Sequence, residues 1–93
     1  MGLVFEWDIN KARTNILKHK VSFEDATTIF GDSRSITIES PLRSARERRL
    51  VTMGMSARGR ILVVVHTERG EKIRIISARV ASRKERKQYP HET

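Results

Sequence analysis

Ile61 to Val65 is an unbroken apolar run, mostly of β-branched residues. With no polar residue alternating, it suits a central strand covered on both faces. Such a strand needs a neighbour on either side. Ile73 to Ala78 is a second run of the same kind, interrupted by Arg74. Glu68-Arg69-Gly70-Glu71 lies between them and contains the glycine a tight hairpin needs. With Arg69 and Gly70 at the tip, Val64 would face Ile75, Leu62 would face Ser77 and Arg60 would face Arg79. Like charges directly opposed on a ladder repel each other. Such a pair becomes useful when an anion lies between or above it, phosphate above all. The alternative is that each arginine pairs with a carboxylate such as Glu47 or Glu85.

The chain has 93 residues, enough for one core and not for two, so 1–93 reads as a single domain. Cysteine is absent, which removes disulfides and thiolate metal sites and suits a reducing compartment. No apolar run approaches a membrane span and the N-terminus has no signal-peptide pattern. A soluble, cytoplasmic protein with no membrane partner is expected. The net charge of +8 is unevenly spread. Up to Leu42, five basic residues stand against six acidic ones, a balance of −1, which leaves +9 for the remainder. That asymmetry points to a polyanionic partner, nucleic acid first and an acidic protein second.

Leu3 to Trp7 reads as a short first strand. Asp8 is a helix N-cap, and the helix to Lys18 places Ile9, Ala12 and Ile16 on one face. Lys18, His19 and Lys20 make its far end positive, as a helix C-terminus prefers. Ser22 and Asp25 resemble a capping box for a second helix, with Phe23, Ala26, Ile29 and Phe30 as its apolar stripe and Gly31-Asp32-Ser33 as its stop. Ser35 to Glu39 alternates as a half-exposed strand, Pro41 to Arg46 reads as a loop, and Arg49 to Met55 as a further strand. Gly54 inside it marks a bulge or a close backbone approach. Ser82 and Glu85 have capping-box spacing and open a last helix ending near Tyr89-Pro90. The expected fold is α+β: a small antiparallel sheet of four to five strands, with the helices grouped on one side. Phe5, Phe23, Phe30, Val63 and Ile75 are the expected core.

A glycine-rich phosphate loop, a metal-ligand cluster and a Ser-His-Asp spacing are all absent from the sequence, so neither metal nor cofactor is expected. Three histidines, several carboxylates and a field of arginines remain. RNA cleavage through the ribose 2′-hydroxyl needs little more: a base for the hydroxyl, cations for the phosphorane and an acid for the departing 5′-oxygen. His19 and His66 are candidates for proton transfer, and each is also readable as structural. Glu47 stands among Arg46, Arg48 and Arg49, which favours its charged form and suits an orienting group or weak base. Tyr89 can stack on a base or donate a proton, or simply anchor the last helix.

Taken together, these residues resemble the BrnT family of type II toxins. Phe5-Glu6-Trp7-Asp8, Lys11, Asn15, Lys18-His19 and Val21 to Ala26 match its N-terminal pattern. Glu47, Arg49 and Gly54 fit its middle; Gly59-Arg60, Ile73 to Arg79, Glu85-Arg86 and Tyr89 match its C-terminal signature. The resemblance implies a RelE-like fold and a metal-independent endoribonuclease that inhibits translation. It implies a BrnA-like ribbon-helix-helix antitoxin as partner, RNA as substrate, and DNA met only through the antitoxin. Arg60, Arg79, Glu47, His19 and Tyr89 become catalytic candidates; Arg49, Arg74, Lys18 and Arg83 become substrate-binding ones. The alternatives are a non-catalytic module that binds RNA or other nucleic acid, or an inactive toxin homologue that only binds its antitoxin. Two positions depart from the pattern: Lys20 replaces the glycine usual after Lys-His, and Arg43 stands where a histidine is usual.

Overall fold

A computed structural model describes residues 2–40 and 48–90. The chain runs β1 (Val4–Glu6), α1 (Ile9–His19), α2 (Phe23–Thr27), a 3-10 turn (Thr28–Gly31), β2 (Ile36–Glu39), β3 (Leu50–Met55), β4 (Ile61–Arg69), β5 (Lys72–Val80) and α3 (Arg83–Arg86). The strands form one sheet in the order β1-β5-β4-β3-β2. β2 to β5 make the expected antiparallel meander. β1, however, pairs with β5 in parallel, Phe5 beside Ile73 and Glu6 beside Arg74, so the sheet is mixed. Running alongside β5 brings Asp8 to the point from which α1 packs back onto that same strand.

The hairpin register differs from the expected one. Its innermost pair is Arg69 and Lys72, around Gly70, whose φ of 60° suits a residue without a side chain. A bulge follows, with Val65 facing Ser77 and His66 facing Ile75, which leaves Ile76 unpaired. Val63 therefore faces Arg79 in place of Arg60. The slip is an odd number of residues, and side chains alternate faces with period two, so Arg60 and Arg79 end on opposite faces of the sheet.

The core follows that alternation. On one face, Leu62, Val64, Ile75 and Ala78 meet Val21, Phe23, Ala26 and Ile29 from α2 and its flanks. Phe5, Trp7, Phe30 and Ile73 close its border; Phe5 and Phe30 are half-buried, with ring centroids 5.3 Å apart. On the other face Ile61, Val63, Ala81 and Tyr89 form a smaller cluster beside Val51 and Met53. The segment after β5 thus covers the face opposite α1 and α2, and the helices are not grouped on one side. α3 ends at Arg86, short of the expected Tyr89, which lets the chain turn and drive the phenol into that second cluster.

Local chemistry accounts for the helix ends. Asp8 Oδ1 accepts from the backbone N–H groups of Asn10 (2.8 Å) and Lys11 (3.0 Å). Ser22 Oγ accepts from Asp25 N–H at 3.0 Å, and Ser82 with Glu85 makes a complete capping box. α1 does not bury its expected stripe, since Ile9 and Ile16 are exposed while Asn15 is buried. Asn15 is needed because β1 ends at Arg74 and leaves the outer edge of β5 without a strand. Its amide stands in for one: Nδ2 donates to Ala78 O at 2.7 Å and Oδ1 accepts from Ala78 N–H at 3.1 Å. Nδ2 also donates to Val21 O at 2.9 Å. Gly54 meets the second of its two expectations: a Cβ there would lie 3.1 Å from the Cβ atoms of Ile29 and Ser35.

Candidate nucleic-acid interface

Each central arginine closes on its own carboxylate. Arg60 Nη2 donates to Asp25 Oδ2 at 2.9 Å and Nη1 to Lys20 O at 2.9 Å, tying β4 to the turn between α1 and α2. Arg79 Nη1 and Nη2 donate to Glu85 Oε1 and Oε2 at 2.7 and 2.8 Å. These hydrogen bonds, with that from Ser82 N–H, lower the Glu85 carboxyl to about 2 and raise the Arg79 pKa. Two arginines on opposite faces cannot grip one phosphate, so the expected Arg60–Arg79 clamp is corrected. Glu85 is the carboxylate alternative for Arg79; for Arg60 it is Asp25.

The other expected residues scatter. Arg74 Nη1 lies 3.4 Å from Glu6 Oε2, toward the hairpin end of β5. Arg49 precedes β3, half-buried, with its Nε lacking a hydrogen-bond partner. Tyr89 is buried and its hydroxyl donates to Asp32 Oδ2 at 2.6 Å; burial first and that carboxylate second raise its pKa. It anchors the chain after α3 and is poorly placed to give up a proton. His66 is buried too, its Nε2 2.8 Å from Thr52 Oγ1 and its ring edge-on to Phe30. Burial lowers its pKa, which keeps the imidazole neutral and structural. Glu47 and Arg43 lie outside the described residues.

What the fold brings together lies along the open edge of β5. A cleft of about 300 Å³ separates α1 from this edge, lined by Lys11, Asn15, Lys18, His19, Ile76 and Ser77 among others. Lys11, Lys18 and His19 are all exposed. Arg79 follows Ser77 by two residues, so it stands on the same face of the strand, roughly 7 Å further on. Exposed Arg83 comes next, in the first turn of α3. Lys11, Lys18, His19 and the Asn15 amide thus line the α1 side of this edge, while Arg79 and Arg83 lie on the sheet's other face. Lys11 and Ser77 belong to the matched pattern but were not among the site candidates; the 3–4 spacing of Ala12, Asn15 and His19 was the available signal for the face of α1 turned to the sheet. A larger cavity of about 410 Å³ beside Asp32 and Tyr89 is less promising. Its carboxylate is already satisfied by the Met55 and Arg34 N–H groups and the Tyr89 hydroxyl. Among the described residues, no three or more of His, Asp and Glu cluster so as to hold a metal ion. Nor is any helix there long and apolar enough to cross a membrane.

The chain is a five-stranded mixed sheet flanked by three short helices, with basic side chains beside the open edge of β5. The family described as ribonuclease toxin, BrnT, of type II toxin–antitoxin system matches residues 7–85, and this chain belongs to it. It is also similar to the crystal structure of the Brucella abortus ribonuclease toxin BrnT, with 26% identity and a TM-score of 0.64. That similarity covers 88% of this chain and 100% of the Brucella chain. No curated protein sequence matches.

Proposed function

We propose that this toxin cleaves RNA endonucleolytically through attack of the ribose 2′-hydroxyl, without a metal ion, and so inhibits translation. The observation that carries the reading is the cleft between α1 and the unpaired edge of β5, where Lys18 and His19 meet the strand, with Arg79 and Arg83 following on the other face of the sheet. The Lys18 ammonium attracts the RNA backbone, and the His19 imidazole can exchange a proton with the hydroxyl or the leaving oxygen. Arg79 commits two of its five N–H groups to Glu85 and a third, at 3.5 Å, to Val80 O, which holds the fork rigid and leaves two donors for a phosphorane oxygen. Arg83 extends the path for the chain beyond the cut. Arg49 and Arg74 stand away from this edge and contribute to RNA attraction at longer range. In the proposed system a BrnA-like ribbon-helix-helix antitoxin neutralises the toxin, and operator DNA is met through that partner.

The test is cleavage of a defined single-stranded RNA by purified protein in the presence of a chelator, with product ends identified. Fragments carrying 2′,3′-cyclic phosphate are expected. Arg79→Ala should lower the rate by about 100-fold or more, as loss of one such donor does. His19→Ala should lower it less. Circular dichroism establishes that both variants are folded. Cleavage that vanishes with chelator, or is equal in wild type and Arg79→Ala, overturns this mechanism.

A further inference from the structure

Two polar atoms on the sheet are buried with nothing to bond. Thr67 is 1% exposed and its Oγ1 has no hydrogen-bond partner. The Nε of half-buried Arg49 is likewise buried and unpaired. The register brings the two together. Thr67 pairs with Arg74 on β5, and Arg74 pairs with Glu6 on β1. On the other side Leu50 faces His66, so one further step along that ladder sets Arg49 beside Thr67. The hydrogen bond from Ser40 N–H to Arg49 O, at 2.8 Å, keeps the chain in line at this point. Arg49, Thr67, Arg74 and Glu6 thus form one row across β3, β4, β5 and β1. Thr67 is four residues from Val63, which opposes Arg79, so the row shares the face of the sheet that carries Arg79.

The row sets a cation on either side of a hydroxyl. Arg49 and Arg74 stand two strand spacings apart, about 10 Å, a gap that two guanidinium side chains can close above Thr67. Among the described residues Arg49 has no ion pair, and Arg74 has only its 3.4 Å contact with Glu6 Oε2. Glu6, the one acid of the row, also has Lys72 at 4.0 Å, so the surplus charge is positive. A buried hydroxyl without an acceptor destabilises the fold, and valine would fill the same space without that cost. An oxyanion supplies what these groups lack: lone pairs for the Thr67 hydroxyl, for Arg49 Nε–H and for the open N–H groups of Arg74. The tetrahedral oxygens of a phosphate suit a guanidinium on each side and a hydroxyl below. The planar pair of a carboxylate suits one fork only.

We infer that Thr67, between Arg49 and Arg74, is the floor of a phosphate subsite for single-stranded RNA, separate from the phosphate that Arg79 holds at the cut. The inference rests on reading the chain as an RNA-cleaving toxin. Arg74 and Arg79 are five residues apart on one face of β5, with the unpaired Ile76 between them, so the two phosphates lie roughly 15 Å apart. A strand joining them crosses the half-buried pair Val65 and Ser77. Arg49 is half-buried and held by no ion pair among the described residues, so its side chain can swing to admit a phosphate to the hydroxyl and then close on it. Thr67 touches no reacting atom. Its contribution is equal in the bound substrate and the transition state, and belongs in KM.

The test uses the full chain, a single-stranded RNA for cleavage, and the same strand carrying 2′-O-methyl groups throughout, which cannot be cut, for binding. Thr67→Val should weaken binding of the uncleavable strand about 10-fold, the scale of a hydrogen bond to a charged group. It should raise KM by a similar factor and leave kcat unchanged, with a Tm equal to or above wild type. Thr67→Ser keeps the hydroxyl and should bind as wild type. Arg74→Gln should lower the slope of log affinity against log salt by about 0.7, one phosphate contact on a single strand, while Thr67→Val leaves that slope unchanged. Wild-type affinity in Thr67→Val makes the hydroxyl a packing defect and overturns the subsite. A fall in kcat alone, weakened binding of the antitoxin in place of RNA, or a wild type that does not bind the strand overturns it as well. If wild type cleaves no RNA yet loses the uncleavable strand on Thr67→Val, the nuclease reading fails and the subsite stands.

Discussion

Val63 and Arg79 are directly opposed on β4 and β5, so the guanidinium rises from the end of an apolar row. Along β5 Arg79 follows Ser77 by two residues, and across the strands it ends the row that Ile36, Met53 and Val63 begin.

Arg60, by contrast, ties β4 to the turn between α1 and α2. Its partner Asp25 has a side chain only 4% exposed, and among the described residues Arg60 is its one charged partner. Arg60→Ala should destabilise the fold by about 2 kcal/mol, less than for a fully buried pair because Arg60 is partly solvated. Urea unfolding measures this, and cleavage per folded molecule should match wild type. A folded, stable Arg60→Ala protein without activity would return Arg60 to the site.

Asn15 replaces a missing strand, and its loss should cost more than a surface polar residue. Asn15→Leu leaves the N–H and C=O of Ala78 and the C=O of Val21 without partners. About 3 kcal/mol of stability should disappear, on the scale of unmade buried hydrogen bonds. Hydrogen exchange at the Ala78 amide should accelerate well beyond that of the β4 amides; uniform exchange rates would contradict the edge role.

Glu85 links stability to acid. The hydrogen bonds from Arg79, and then that from Ser82 N–H, hold its carboxyl at about 2, below the ordinary glutamate value of 4.5. A depressed carboxyl binds fewer protons folded than unfolded, so its contribution is present above about pH 4.5 and is lost as pH falls toward 2. Denaturation midpoints should drop across that window in wild type, and the portion due to this pair should be missing in Glu85→Gln. Parallel pH profiles for the two proteins would show that the pair contributes nothing.

Lys20 caps α1 in the left-handed region, with φ 59° and ψ 32°, where its N–H reaches Ile16 O at 2.9 Å. The departure from the usual glycine thus keeps the turn and carries backbone strain. Lys20→Gly should stabilise the protein by about 1 kcal/mol, the cost of a side chain in that conformation. Thermal unfolding reads the change, and a lowered Tm would mean the lysine side chain makes contacts that outweigh the strain.

The sequence by itself determined the order of the elements and where the helices begin. Asp8, Ser22 and the Ser82–Glu85 box announce their helices because capping is a contact between residues two or three apart. The apolar runs announce β4 and β5, and the lopsided charge announces a polyanionic partner. Membership of the toxin family was equally legible, since it is carried by residue patterns. Only the tertiary structure decided which side chains share a face. The register shift between Val65 and His66 leaves Ile76 unpaired, and no local preference of Ile-Ile-Ser marks it. Because side chains alternate with period two, that extra residue and a shifted tip moved Arg60 to the opposite face. The parallel placement of β1, the burial of Asn15 in a helix with two exposed isoleucines and the return of Tyr89 beneath the sheet are decided the same way. Each satisfies a backbone group or an apolar surface supplied by a distant element, and such partners exist only once the chain has folded.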